Sequence, residues 1–266
     1  MTARLALHTW TLLSTPLADQ LQIAADTGWD AVEISARAFT PNTPNGLSPA
    51  EIARLIAGTP LPVACCGVEH GWMWADGDER KRLLQSFDER CRFVTSLGAR
   101  LLMSPVDAGE GDVARAAASV REVGDIAARH AVRLAIEFNS QAKQLNTLAR
   151  MREVLGRAAH PTCGLLLDTY HLGRSGATIR DIDDVPPSEI AYVQYSDPPK
   201  TGLRPGYALD RLPPGQGSFP FKEFFALMAK KGYAGFMSYE APNEEAWKRP
   251  PADVAREALA ATRAVL

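Results

Sequence analysis

Eight short apolar runs, each followed by a stretch with helical or loop character, constrain this chain more than any other feature of its sequence. The runs are RLALHTW (4–10), DAVEIS (30–35), LPVACCG (61–67), ARLLMSP (99–105), VRLAIEF (132–138), TCGLLLD (162–168), IAYVQYS (190–196) and GFMSYE (235–240). Strands covered by helices on their outer face read as near-continuous apolar runs of this kind, the pattern of a parallel sheet. The intervening periodicity predicts helices over 17–27, 48–57, 78–96, 112–130, 141–155, 178–184, 220–231 and 251–265. Ser48-Pro49 opens one of them, and Gly28, Gly98, Gly156 and Gly232 stand just past the ends of others, as capping sterics favour. Eight such alternations in 266 residues predict an α/β fold, a single-domain (β/α)8 TIM barrel over 1–266, with a doubly wound open sheet as the competing arrangement.

The charge balance narrows the choice of partners. Twenty-nine Lys and Arg against thirty-one Asp and Glu give a formal charge of −2, with no basic stripe for a polyanion or an anionic membrane. A small-molecule substrate is therefore expected, with no nucleic acid and no membrane as partner. The opening MTARLALHTWTLL lacks a cleavable leader pattern, so a cytoplasmic location is expected. Cys65, Cys66, Cys91 and Cys163 include no CxxC pair and read as free thiols. The segment GWMWADG, with Trp72 and Trp74, reads as a lid over a pocket or as a contact in a homodimer.

In a barrel the reactive groups sit where strands end. The ends of the fifth to eighth runs carry Glu137, Asp168, Gln194 and Glu240. Three carboxylates brought together repel one another unless a cation neutralises them, so these four residues are read as ligands of one divalent metal ion. Hard oxygen donors without thiolate favour Mn²⁺ or Mg²⁺ over Zn²⁺. His171, three residues after Asp168, then faces whatever the metal holds, as a proton donor, acceptor or hydrogen-bonding group. His8 and Trp10, Glu33, and Glu69 with His70 follow the first three runs and are placed on the far wall of the pocket, where His8 and His70 contact substrate. The Pro- and Gly-rich stretch 197–220 is too long for an ordinary connection and reads as a functional loop.

Taken in order, LAIEFN, LLLDTYHLGRSG, AYVQYSDPP, RLPPGQG and SYEAP resemble the xylose isomerase-like TIM barrel superfamily of sugar isomerases, epimerases and dehydratases. The resemblance covers essentially the whole chain. It implies metal-binding roles for Glu137, Asp168 and Glu240, a substrate contact for His171, and a substrate-holding role for Arg211. Most members carry a His where this chain has Gln194, a substitution similar to bacterial 3-dehydroshikimate dehydratases. The stretch EFNSQAK departs from the ketose 3-epimerases and puts Lys143 where they have a carboxylate, implying a contact to an anionic substrate group.

The reaction implied is proton abstraction next to a carbonyl in a small polyhydroxylated keto compound, with Glu137 and Glu240 as acid and base and His171 assisting. Return of the proton makes an isomerase or epimerase. Loss of hydroxide makes a lyase, like 3-dehydroshikimate or inosose dehydratase. A non-catalytic binding barrel and a nuclease on the same fold are the readings from other classes; five histidines and a near-neutral charge disfavour the nuclease.

Overall fold

The structure is a computed structural model that describes residues 3–40, 46–107 and 109–266. Eight parallel strands close into a barrel in sequence order, β1 through β8, with β8 pairing back to β1. The strands are β1 (Arg4–His8), β2 (Ala31–Ile34), β3 (Val63–Gly67), β4 (Leu101–Pro105), β5 (Arg133–Glu137), β6 (Cys163–Asp168), β7 (Ile190–Tyr195) and β8 (Phe236–Tyr239). The helices are α1 (Leu17–Thr27), α2 (Pro49–Ala57), α3 (Gly77–Ser96), α4 (Val113–Arg129), α5 (Leu148–Ala158), α6 (Thr169–Arg174), α7 (Ile179–Asp183), α8 (Phe221–Lys230) and α9 (Pro251–Val265). The closed ring excludes the open-sheet alternative.

A period of two along each strand divides the apolar residues between two cores. Leu165 and Leu167 of β6 pack outward with Leu134 and Ile136 of β5 in the layer between barrel and helices. Leu166 turns inward, where it meets Cys65, Met103, Ala135 and Tyr192. The next inward position after Leu166 is Asp168, and the register sets it beside Gln194 of β7. Three consecutive leucines thus build both sides of the wall, and the strand period delivers the carboxylate to the barrel mouth.

Several local expectations shift. The fifth helix begins at Leu148 rather than 141, because Asn139 folds its side chain back onto the Gln141 N–H and Thr147 supplies the helix cap. A helix absent from the sequence reading, α6, starts directly after β6. Asp168 caps it by accepting from the Tyr170 N–H at 2.9 Å, so His171 lies on a helix instead of a loop. Trp72 is buried and donates from Nε1 to Ser104 Oγ at 2.9 Å, and Trp74, half-buried, packs on Gly109 and Gly111, so both tryptophans serve packing within the chain. The four cysteines are free. No helix among the described residues is long and apolar enough to cross a membrane.

Candidate metal centre and substrate cavity

The C-terminal mouth of the barrel opens into a cavity of about 690 Å³, walled in part by His8, Glu137, His171, Arg211 and Glu240. Asp168 and Gln194 are fully buried beneath it. The stretch 197–220 earns its length by carrying Arg211 into this mouth. Asp197 pins the loop by accepting from the N–H groups of Gly215, Gly217 and Phe219 at 2.9, 2.7 and 2.9 Å. Any Cβ at Gly217 would collide with the Pro198 carbonyl and the Asp197 carboxylate, so only glycine fits that close approach.

Arg211 is the cation at the centre of the acidic residues. Its Nη1 donates to Asp168 Oδ2 at 2.8 Å and to Glu240 Oε2 at 2.7 Å, and its guanidinium lies 4.4 Å from the Tyr170 ring centre. Tyr170 is held in turn by its hydroxyl, which donates to Asp210 and accepts from Arg174. Arg174 therefore braces the ring. Burial opposes the charge on Arg211, but Asp168 and Glu240 beside it raise its pKa further above the ordinary value.

One cation does not satisfy the cluster. Burial, then the neighbouring Asp168 and Glu240 charges, push the Glu137 carboxyl well above the usual range. Glu137 Oε1 and Gln194 Oε1 are shut off from water and meet no hydrogen-bond partner among the described residues. Gln194 turns its NH₂ to Glu33 Oε1 at 2.9 Å, which leaves the amide oxygen as a bare acceptor. Ligating atoms of Glu137, Asp168 and His171 lie within 4.8 Å of one another, a group able to hold a metal ion. Bare buried oxygens within a surplus of carboxylates fit a hard divalent cation.

The two buried histidines are set alike. The Ser140 N–H donates to His171 Nδ1 at 3.2 Å, and the Trp10 N–H donates to His8 Nδ1 at 3.0 Å. With Nδ1 an acceptor, the neutral His8 imidazole carries its proton on Nε2. Burial first, with Arg211 adding to it, lowers both pKa values to about 3, so both rings are neutral. His8 Nε2 faces Glu240 Oε1 at 3.3 Å, and His171 Nε2 faces Glu137 Oε1 at 3.7 Å, too far for a hydrogen bond to the carboxylate itself. Arg211 Nη2, which can only donate, lies 3.5 Å from the same His171 Nε2, so donors approach both nitrogens of that ring.

Of the residues singled out from sequence, the structure gathers Glu137, Asp168, Gln194, Glu240, His171, Arg211 and His8 in one mouth. His70 lines the cavity at an exposed position farther out. Lys143 is a correction: its side chain is exposed and pairs with Glu110 at 2.5 Å, outside the cavity lining. The shift of α5 to Leu148 explains it, since Lys143 falls in a surface turn, while Asn139 and Gln141 face the cavity. Glu33 has a closer role than the far wall assigned to it. It accepts from Tyr192 Oη at 3.1 Å as well as from Gln194, and burial followed by Glu240 raises its pKa to about 8. Ser140 escaped the sequence reading, which offers no signal for a residue acting on a histidine 31 positions away.

A model of the xylose isomerase-like TIM barrel family matches residues 21–265. The chain belongs to this family. Among curated relatives it is 29% identical over 243 residues to a 3-dehydroshikimate dehydratase of Pseudomonas aeruginosa, covering 87% of this chain and 37% of that one. The chain thus spans little more than a third of the length of that relative, and the same holds for its counterpart in Pseudomonas putida, at 37%. An inosose isomerase of Bacillus velezensis is 20% identical over 266 residues, with 96% and 94% of the two chains covered. The solved structure of IolI with a bound zinc atom superposes with a TM-score of 0.83 at 19% identity, over 98% of this chain and 96% of that one. A fusion of a xylose isomerase-like TIM barrel with a 4-hydroxyphenylpyruvate dioxygenase gives a TM-score of 0.86 at 23% identity, over 98% of this chain and 42% of the fusion. These structural likenesses show the fold.

Proposed function

We propose that this chain is a divalent-metal-dependent enzyme that removes a proton next to the carbonyl of a small polyhydroxylated keto compound, as a sugar isomerase or epimerase. The observation that carries this reading is the convergence of Glu137, Asp168 and Glu240 with two bare buried oxygens, on Glu137 and Gln194, at the floor of one cavity. Glu137, Asp168, Gln194 and Glu240 would hold the ion, and their all-oxygen donors suit Mn²⁺ or Mg²⁺ better than Zn²⁺. A bound divalent cation supplies positive charge against which a carbonyl and its neighbouring hydroxyl are held and the charge of proton loss is stabilised.

The chain's own groups do the remaining work. Glu137 reaches the cavity from the end of β5 and is placed to take a proton from carbon and give it back. Glu240 lies on the β8 side of the mouth and serves as the partner acid or base, its carboxyl also raised by burial against the pull of Arg211. His8 and His171 offer ring nitrogens for hydrogen bonds to substrate hydroxyls, and Arg211 holds Asp168 and Glu240 in place through its two short bonds. Return of the proton to carbon gives isomerisation or epimerisation.

The Pseudomonas relatives favour a second reading on the same residues, in which a β-hydroxyl departs after proton loss and the enzyme is a dehydratase. The test is incubation with Mn²⁺ in D₂O of hydroxypyruvate, an inosose and 3-dehydroshikimate, each followed by NMR. Deuterium entering the carbon next to the carbonyl of at least one compound, and not with Glu137→Gln, is the expected result. A rearranged ketone marks the isomerase and a new C=C bond marks the dehydratase. No exchange in any of the three, with metal bound, contradicts the reaction class.

A further inference from the structure

The wall of the cavity above β2 and β3 differs in charge from the floor. Arg90 reaches it from α3 and stacks its guanidinium 3.1 Å from the Phe39 ring centre. Its Nη1 is closed off from water and has no hydrogen-bond partner among the described residues, and no described carboxylate comes within ion-pair distance of it. Glu69, the acid on the same wall, is taken up by Arg82 in a two-bond pair. Arg37 lines the wall two residues before Phe39, its guanidinium 4.4 Å from the Trp10 ring centre.

A half-buried guanidinium with an idle N–H is stabilised when an anion meets it. Burial already pulls the Arg90 pKa down to about 10, which still leaves it charged at neutral pH. The floor of the cavity holds a surplus of carboxylates that would repel an anion, so an anionic group on a ligand can settle only at the far wall. The planar fork of arginine matches an oxyanion with two parallel hydrogen bonds, and the flanking aromatic faces keep that fork from turning.

We infer that Arg90, with Arg37 beside it, forms an oxyanion subsite for a carboxylate or phosphate on the substrate, at the end remote from the reacting carbonyl. The substrate is then an anionic keto-polyol rather than a neutral sugar. The inference deepens the proposed function and rests on it only for where the keto end lies. It also transfers to Arg90 the anion contact that the sequence assigned to Lys143.

Calorimetric titration with unreactive pairs of matched shape tests it: shikimate against its methyl ester, and myo-inositol 1-phosphate against myo-inositol, with Mn²⁺ binding measured on the same protein. In the wild type the anion of at least one pair should bind ~10-fold or more tightly than its neutral partner, a charge-assisted bond's worth of preference. The pair that discriminates tells carboxylate from phosphate. Arg90→Gln should reduce the preference to below ~3-fold with Mn²⁺ binding unchanged, while Arg90→Lys keeps part of it and Arg37→Gln, at an exposed position, weakens it without disturbing the core. Equal binding within both pairs, or a full preference surviving in Arg90→Gln and Arg37→Gln, overturns the subsite. Discrimination without any Mn²⁺ binding would uphold the subsite and reject the metal-dependent function; Mn²⁺ binding without discrimination would do the reverse.

Discussion

The two halves of the barrel mouth are built on the same scaffold and carry opposite charge. On the β5–β8 side, Glu137, Asp168 and Glu240 occupy the last inward positions of their strands or the residue just beyond, and a single arginine from a distant loop stands among them. On the outer wall of the β2–β3 side Glu69 is matched by Arg82, and Arg37 and Arg90, from the turn after β2 and from α3, add positive charge. Strand ends fix acids to within a side chain's reach of one another, which suits metal binding and proton transfer. Helix and loop positions place long flexible cations farther out, which suits holding the remote end of a ligand. On the proposed function, the strand-end acids with His171 of α6 and Arg211 of the long loop serve the reaction, and Arg37 and Arg90 hold the remote end of the ligand.

The largest effect should come from the acidic half. Asp168→Ala removes the Arg211 partner, the cap of α6 and a proposed metal ligand together; folding stability should fall by about 3–5 kcal/mol in urea titrations and turnover should be lost. A stable, active Asp168→Ala protein would break the comparison at its root. Next, Arg211→Gln leaves Asp168 and Glu240 as unneutralised neighbours. In chelator its stability should drop by ~2 kcal/mol or more, and added Mn²⁺ should restore part of the loss through binding to the folded state. Equal melting in chelator and in Mn²⁺ would deny that a cation completes this half. His171→Asn should lower kcat by ~10²-fold with little change in metal affinity, the signature of a proton donor; a matching loss of Mn²⁺ would make it a ligand instead. The smallest effect belongs to Lys143→Gln, whose charge lies outside the cavity. Its KM for any substrate should stay within about 2-fold of wild type, as surface ion pairs contribute little.

How far the sequence reveals this site follows the same division. Glu137, Asp168, Gln194 and Glu240 stand out because each ends an apolar run, and a period of two carries them inward with the strand. Closure of the ring follows from eight repeats of the same unit. Arg211 is visible only through the family resemblance, since nothing local tells that a Pro- and Gly-rich loop folds back over the mouth. Arg90 is silent because an arginine on an amphipathic helix reads as a solvated residue, and only packing on Phe39 turns it into the cavity. Lys143 misleads for the converse reason: its spacing from Glu137 counts residues, but the turn around Asn139 and Thr147 sets its direction. Helix α6 is hidden because Asp168 doubles as a strand-end acid and a helix cap.

The central claim, that the acidic half of the mouth is completed by one divalent cation, is tested most directly by titrating chelator-treated protein with Mn²⁺ and counting bound ion by electron paramagnetic resonance. One Mn²⁺ per chain is expected, abolished in Asp168→Ala and weakened ~10-fold in Gln194→Leu. Absence of binding in the wild type with Mn²⁺, Mg²⁺ and Zn²⁺ each in excess, or full binding retained in Asp168→Ala, would contradict it.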